Sequence, residues 1–500
     1  MSPDAPVAAT TLHAPHAWVD GRWQADVRLD IGADGRCTAV TPGVRERPAG
    51  AHTLAGPVLP GLVNAHSHAF QRAFAGRAER REGAHDDFWS WRDRMYGVAL
   101  RLTPESLRAV AAQLYAEMLA GGYTHVCEFH YLHHAPDGRP YADRCAMARA
   151  LAQGAQDVGI GLTLLPVLYE RAGFTQPRLR DDQRRFATTV DEVLAMRDEI
   201  RAWGLDGVHA GVAIHSLRAA SAESLRELAR RCADDPGPIH LHIAEQTAEV
   251  DDCVAATGQR PIEWLAAQGV LDARWHLVHA THATPAEIDA VARSGAGVVV
   301  CPTTEANLGD GLFDLPRWLA HGVPMSIGSD SHVCRHWARE LQCLEYGQRL
   351  VLRRRNVAAA PEQGQSSTAE RLFGAALAAG PGAAFGAAGA AGAAGAFGGF
   401  GSFGGFSAFG PVAGASPDRP APAGLAPGAR ADLLVLDPAT PGLGGVPIED
   451  TLDALVFATD VPAVREVWVG GRRRLGADGH PEAERLAGAF ERALQGLATT

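Results

Sequence analysis

Eight short, mostly apolar runs, each followed by a longer amphipathic stretch, constrain this chain more than any other feature. The runs are Val58–Val63, Thr124–Phe129, Gly161–Leu168, Val208–Ile214, Pro238–Ile243, Trp275–Val278, Gly297–Cys301 and Val323–Ile327. Near-continuous apolar character belongs to strands buried on both faces, as in parallel sheets. Between the runs the period turns helical. Thr103-Pro104-Glu105, Thr284-Pro285-Ala286-Glu287 and Ser221-Ala222-Glu223 read as helix starts, and a long helix is expected from about Arg335 to Arg355. Strands alternating with helices over roughly 300 residues predict the α/β class and a (β/α)8 barrel of the TIM type. The alternative is a doubly wound sheet, but no glycine fingerprint follows the first strand.

The ends of the chain have another texture. Residues 10–57 alternate apolar and polar positions around Asp20-Gly21 and Asp34-Gly35. The alternation returns at Ala431–Leu436 and at Val464–Arg473, with a Gly470-Gly471 turn. Both ends are expected to build one small β-sandwich beside the barrel. The expected units are thus 1–57 (sandwich), 58–371 (barrel), 372–427 (insertion) and 428–500 (sandwich and terminal helix). The insertion is uncharged from Leu372 to Pro417 and is rich in Gly and Ala. Its Phe397, Phe400, Phe403, Phe406 and Phe409 recur every three residues and drift around a helix instead of forming a stripe. Disorder is the expectation, because ordering glycine costs the most backbone entropy. Self-association through the phenylalanines is the alternative.

Charge and cysteine usage narrow the partners. The net charge is −11, which disfavours nucleic acid and anionic membrane surfaces. There is no Lys, so all 46 basic residues are Arg. Schiff-base chemistry and carbamylated-lysine metal bridges are therefore excluded. The eight Cys form no CxxC pair and read as thiols of a reducing cytoplasm, and Met1–Asp20 has no signal-peptide pattern.

Chemistry concentrates at the ends of the predicted strands, where barrel active sites lie. His66-Ser67-His68 follows the first strand, and residues two apart on a strand face the same side. His242 closes strand five with Glu245 just beyond it. His279 closes strand six, and Asp330 follows strand eight. Three imidazoles and a carboxylate make a nitrogen/oxygen set suited to Zn²⁺, with iron an alternative.

These stretches resemble the amidohydrolase superfamily. More narrowly they are similar to its formimidoylglutamate deiminases, which act in bacterial histidine degradation. The specific segments are NAHSHAFQRAFAG (Asn64–Gly76), FWSWRDRMY (Phe88–Tyr96), EFHYLHH (Glu128–His134), HIAEQTAEV (His242–Val250), CPTTEANLGDG (Cys301–Gly311) and GSDSHVCRHWAREL (Gly328–Leu341). The resemblance implies one Zn²⁺ per chain on His66, His68, His242 and Asp330. It implies that Asp330 takes a proton from the attacking water, that His279 directs the water and that Glu245 carries protons to the imine nitrogen. It assigns the substrate to Arg92 and Arg218, with Gln71, Tyr131 and His215 as polar companions. The implied reaction is hydrolysis of N-formimino-L-glutamate to N-formyl-L-glutamate and ammonia, by a cytoplasmic homodimer. The implied partner is this small dicarboxylate, with no nucleic acid and no membrane. A nucleobase deaminase of the same branch and an inactive barrel serving in assembly are the rival readings. Glu170 is a less favoured ligand for a second metal, and His130, His133 and His134 are expected to bond within their loop.

Overall fold

The computed structural model describes residues 9–81, 86–386 and 423–498. Its centre is a barrel of eight parallel strands. They are Leu62–Ser67, Tyr123–His130, Gly161–Leu168, Val212–Ser216, Ile239–Ile243, Trp275–His279, Gly297–Val300 and Met325–Ile327, adjacent in chain order. Strand one meets strand eight through a parallel bridge between Ser67 and Asp330. The N–H groups of Ser329 and Asp330 donate to the His66 carbonyl at 3.2 and 3.0 Å. The seam therefore joins two segments that carry candidate metal ligands. Strands two and three are buried at every position, as apolar runs enclosed by helices must be.

Helices begin at the caps expected from sequence. The hydroxyl of Thr103 accepts from Ser106 N and starts Pro104–Ala120. Thr284 starts Pro285–Ser294, and Ser221 starts Ala222–Arg231. The expected Arg335–Arg355 helix is Trp337–Leu352, ended by Arg353 at φ +51°.

Both ends of the chain join in one eight-stranded mixed sheet. Thr10–Val19, Arg22–Ile31, Cys37–Thr41, His52–Thr53 and Val58–Pro60 come from the first end. Leu433–Leu436, Val464–Val469 and Arg472–Leu475 come from the second. Leu433 and Val435 join a separate apolar core with Leu12, Val27 and Leu29, whereas Leu434 and Leu436 face the barrel's core. Period-two alternation thus glues the sheet to the barrel on one face and closes its own core on the other.

Three expectations need correction. The run Val58–Val63 is not one strand: Val58–Pro60 pairs antiparallel with Leu433–Val435, and the barrel strand starts at Leu62. The break falls at Gly61, where a Cβ would lie 2.3 Å from the Thr124 side chain. The run Val208–Ile214 splits likewise around Gly211, where a Cβ would lie 2.5 Å from the Pro238 carbonyl. Lastly, the start of the uncharged stretch is helix. Thr368–Phe385 is one element, with Leu372, Phe373, Ala376, Ala383 and Ala384 buried. Its end enters the barrel interior. Ala383 packs with Ala65, Val278, Val299 and Cys301, and His240 Nε2 donates to the Ala383 carbonyl at 2.8 Å. Absence of charge reads as disorder only for a segment facing water, and this helix, with twelve of its 18 residues buried and none fully exposed, has no water-facing side to display. The phenylalanine repeat lies outside the described residues. Among those residues, no helix is long and apolar enough to cross a membrane, and all eight cysteines are unpaired.

Candidate metal and catalytic site

The strand ends gather the predicted ligands. His66 Nε2 lies 3.1 Å from His68 Nε2 and 2.9 Å from His242 Nε2. Asp330 Oδ1 lies 3.5 Å from His66 Nε2 and 3.4 Å from His68 Nε2. Hydrogen bonds behind the rings fix which nitrogen faces inward. His68 Nδ1 donates to the Phe129 carbonyl, and His242 Nδ1 donates to the His215 carbonyl, each at 2.9 Å. A carbonyl can only accept, so each Nε2 presents a lone pair to the centre. Converging lone pairs repel unless a cation sits among them. Burial holds His66, His68 and His242 below the ordinary imidazole range, so they stay neutral and able to ligate. Burial alone would raise Asp330, but the surrounding imidazoles outweigh it and keep the carboxylate ionised. The donor set therefore fits a divalent cation of the zinc type.

His279 ends strand six. Its Nδ1 donates to Glu305 Oε1 at 3.2 Å, and its Nε2 lies 3.8 Å from both Glu245 Oε1 and Asp330 Oδ2. Burial pulls His279 down, but Glu245, Glu305 and Asp330 together raise it to about 10. Burial raises Glu245 above the carboxylate range, which lets it hold a proton near neutrality. Backbone strain concentrates at the same place. Ala244, His279, Ala280, Asp330 and His332 have φ between +46° and +70°. Non-glycine residues persist in this region only where surrounding structure imposes it, and such positions cluster at functional sites.

The residues expected from sequence to hold the substrate line the same cavity. It is walled by Gln71, Arg92, Tyr131, His215 and Arg218 together with His68, His242, Glu245, His279 and Asp330. Gln71 Nε2 donates to the Tyr131 hydroxyl at 3.1 Å. Arg92 stands on helix Phe88–Ala99, which roofs the cavity, and Arg218 follows strand four. Arg92 and Arg218 also border an outer cavity of about 330 Å³. Among the described residues, Arg92 Nε and Arg218 Nη1 are buried without a hydrogen-bond partner. Glu170 stays apart: it accepts from Ser221 N and Ser224 Oγ and so caps helix Ala222–Arg231. His134 Nε2 donates to the Ala187 carbonyl at 2.7 Å, a loop contact.

Two carboxylates escaped sequence reasoning. Glu305 orients His279 and also accepts from Cys301 N at 2.9 Å. Glu128 braces the end of strand one, which carries His66, and the turn that follows at His68. It accepts from Ser67 Oγ at 2.7 Å, from Ala69 N at 2.6 Å and from the Tyr115 hydroxyl at 3.2 Å. A signal existed for Glu128: a carboxylate inside a strand buried on both faces needs partners. Glu305 had only its place just after strand seven.

Comparison with known proteins agrees with this geometry. Residues 58–376 match the amidohydrolase family. A protein of Pseudomonas aeruginosa named formimidoylglutamate deiminase is 42% identical over 486 residues, covering 97% of this chain and 99% of its own. The crystal structure of an amidohydrolase from Brucella melitensis superposes with a TM-score of 0.85 at 38% identity, over 98% of this chain and 100% of that one. An adenosine deaminase from Xanthomonas campestris, solved with bound zinc, shares the fold with a TM-score of 0.77 at 21% identity, over 98% and 99% of the two chains. The chain belongs to the amidohydrolase family, in the group that holds the formimidoylglutamate deiminase of Pseudomonas aeruginosa.

Proposed function

We propose that this protein hydrolyses the C=N bond of N-formimino-L-glutamate, giving N-formyl-L-glutamate and ammonia, with one Zn²⁺ held by His66, His68, His242 and Asp330. The observation that carries this reading is one cavity with a cation-binding donor set at one end and, at the other, two arginines that each keep a buried N–H without a hydrogen-bond partner. Such a cavity suits a molecule with an imine at one end and carboxylates at the other, because guanidinium forks grip carboxylates. The relative's name points to the same substrate.

A bound zinc supplies Lewis acidity, which makes hydroxide available near neutral pH. The chain's own groups do the rest. Asp330, ionised, accepts the proton of the attacking water. His279, held by Glu305, points Nε2 at the space between Glu245 and Asp330 and orients the water. Glu245 delivers a proton to the imine nitrogen as the C–O bond forms. Asp330 then passes the proton it took to that nitrogen, the hydroxyl proton moves to Glu245 as the C=O bond of the formyl group forms, and the C–N bond breaks to release NH3. Arg92 and Arg218 hold the carboxylates, and Gln71, Tyr131 and His215 complete the wall. The reaction sits in the breakdown of histidine, and the cysteine usage agrees with a reducing cytoplasm.

Ammonia release from N-formimino-L-glutamate, with guanine in parallel, tests the reading. Release from guanine alone would replace it with a nucleobase deaminase.

A further inference from the structure

Arg92 and Arg218 come from different elements, yet both lie against one indole. The Arg92 guanidinium carbon is 4.6 Å from the Trp89 ring centroid, and that of Arg218 is 5.3 Å away. Trp89 and Arg92 are three residues apart on helix Phe88–Ala99, so they are neighbours on its surface. Asp87 fixes this first turn, its carboxylate accepting from Trp89 N at 3.0 Å and from Ser90 N at 3.1 Å. The acidic neighbours of the two arginines stand further off than a hydrogen bond. Asp93 is 3.6 Å from Arg92, and Glu249 is 3.8 Å from Arg218.

Two like charges confined near one buried cavity repel each other, and the repulsion grows as water is excluded. A carboxylate placed between them would relieve it but would occupy the N–H donors. An indole relieves it differently. Its electron-rich faces attract both cations, while the donors stay free, as the unpartnered Arg92 Nε and Arg218 Nη1 show.

We propose that Trp89 is a specificity-determining residue: it holds the two guanidiniums at a fixed spacing with their donors free, and so selects dicarboxylates. This rests on the proposed function for the identity of the substrate, and on the geometry alone for the preference for two carboxylates.

The experiment measures glutarate and butyrate binding to the metal-loaded full-length protein by calorimetry, in the wild type, Trp89→Leu and Trp89→Phe. Trp89→Leu should weaken glutarate about ten-fold, butyrate should change less, and Trp89→Phe should recover most of the glutarate affinity. Melting temperatures of the variants close to the wild type would exclude a folding defect, and Trp89→Met, long and apolar but without an aromatic face, carries the test if Trp89→Leu does not fold. No measurable glutarate binding by the wild type, wild-type glutarate binding by Trp89→Leu, or equal losses for glutarate and butyrate in Trp89→Leu would each overturn the proposal. Ammonia release from N-formimino-L-glutamate is read on the same samples. Its absence in the wild type would overturn the proposed function, whereas the glutarate series judges Trp89 separately.

Discussion

Glu305 and His279 show how one residue's chemistry depends on its neighbour. The carboxylate fixes the imidazole's direction through the 3.2 Å bond to Nδ1. Glu305→Gln keeps the shape but removes the charge that favours the imidazolium. We expect kcat to fall about 10–100-fold, with KM moving less, in steady-state ammonia release. A kcat within two-fold of the wild type would show that Glu305 only fills space. The candidate metal ligands were legible in the sequence, because each sits at a strand end that periodicity locates. Glu305 and Trp89 were not, because their meaning lies in contacts with elements far away in the chain. No spacing rule connects Trp89 to Arg218.

At the scale of elements, the barrel seam packs directly against the candidate metal ligands. Gly328 runs so close to strand one that a Cβ would lie 2.6 Å from His66 Cβ and 2.9 Å from its backbone N and O. Gly328→Ala must push His66 or Asp330 out of register. We expect metal affinity to drop about 10–100-fold in a chelator competition, with the helical circular dichroism retained. The C-terminal end of helix Thr368–Phe385 makes a second claim. Ala383 is fully buried among Ala65, Val278, Val299 and Cys301. Ala383→Leu should overpack the barrel floor and cost about 1–3 kcal/mol of stability, read as a lower melting temperature. A neutral result would show slack at the floor. Strand order and helix caps were legible because they follow local patterns. The fate of the Gly/Ala stretch was not, because what orders its first part is a cavity built by strands up to about 320 residues earlier.

For the whole molecule, the buried histidines set the response to acid. His66, His68, His125, His130, His133, His215, His240, His242, His276 and His332 are all held below the ordinary imidazole range, with burial the first cause of each. In the metal-free protein these ten stay neutral when folded but bind protons when unfolded, once the pH drops below about 6.5. Their contribution is intact above that pH and is lost as pH falls toward their folded values. Five carboxyls raised by burial, Glu128, Glu245, Asp310, Glu340 and Glu370, act in the opposite sense. Between pH 4.5 and 6.5 the histidines outnumber them. The urea midpoint of metal-free protein should therefore rise from pH 5 to pH 6.5, and a flat or falling profile would contradict the burial described.

The most direct test joins chemistry and metal in one sample. Purified protein is assayed for ammonia release from N-formimino-L-glutamate, and its metal is quantified beside that of His66→Ala and Arg92→Ala. About one zinc per chain and ammonia release are expected in the wild type. His66→Ala should lose both. Arg92→Ala should keep its metal but show a strongly raised KM, because a substrate carboxylate is left unpaired. Ammonia release that persists in His66→Ala, or a wild type that carries its metal yet acts only on a nucleobase, would contradict the proposed function.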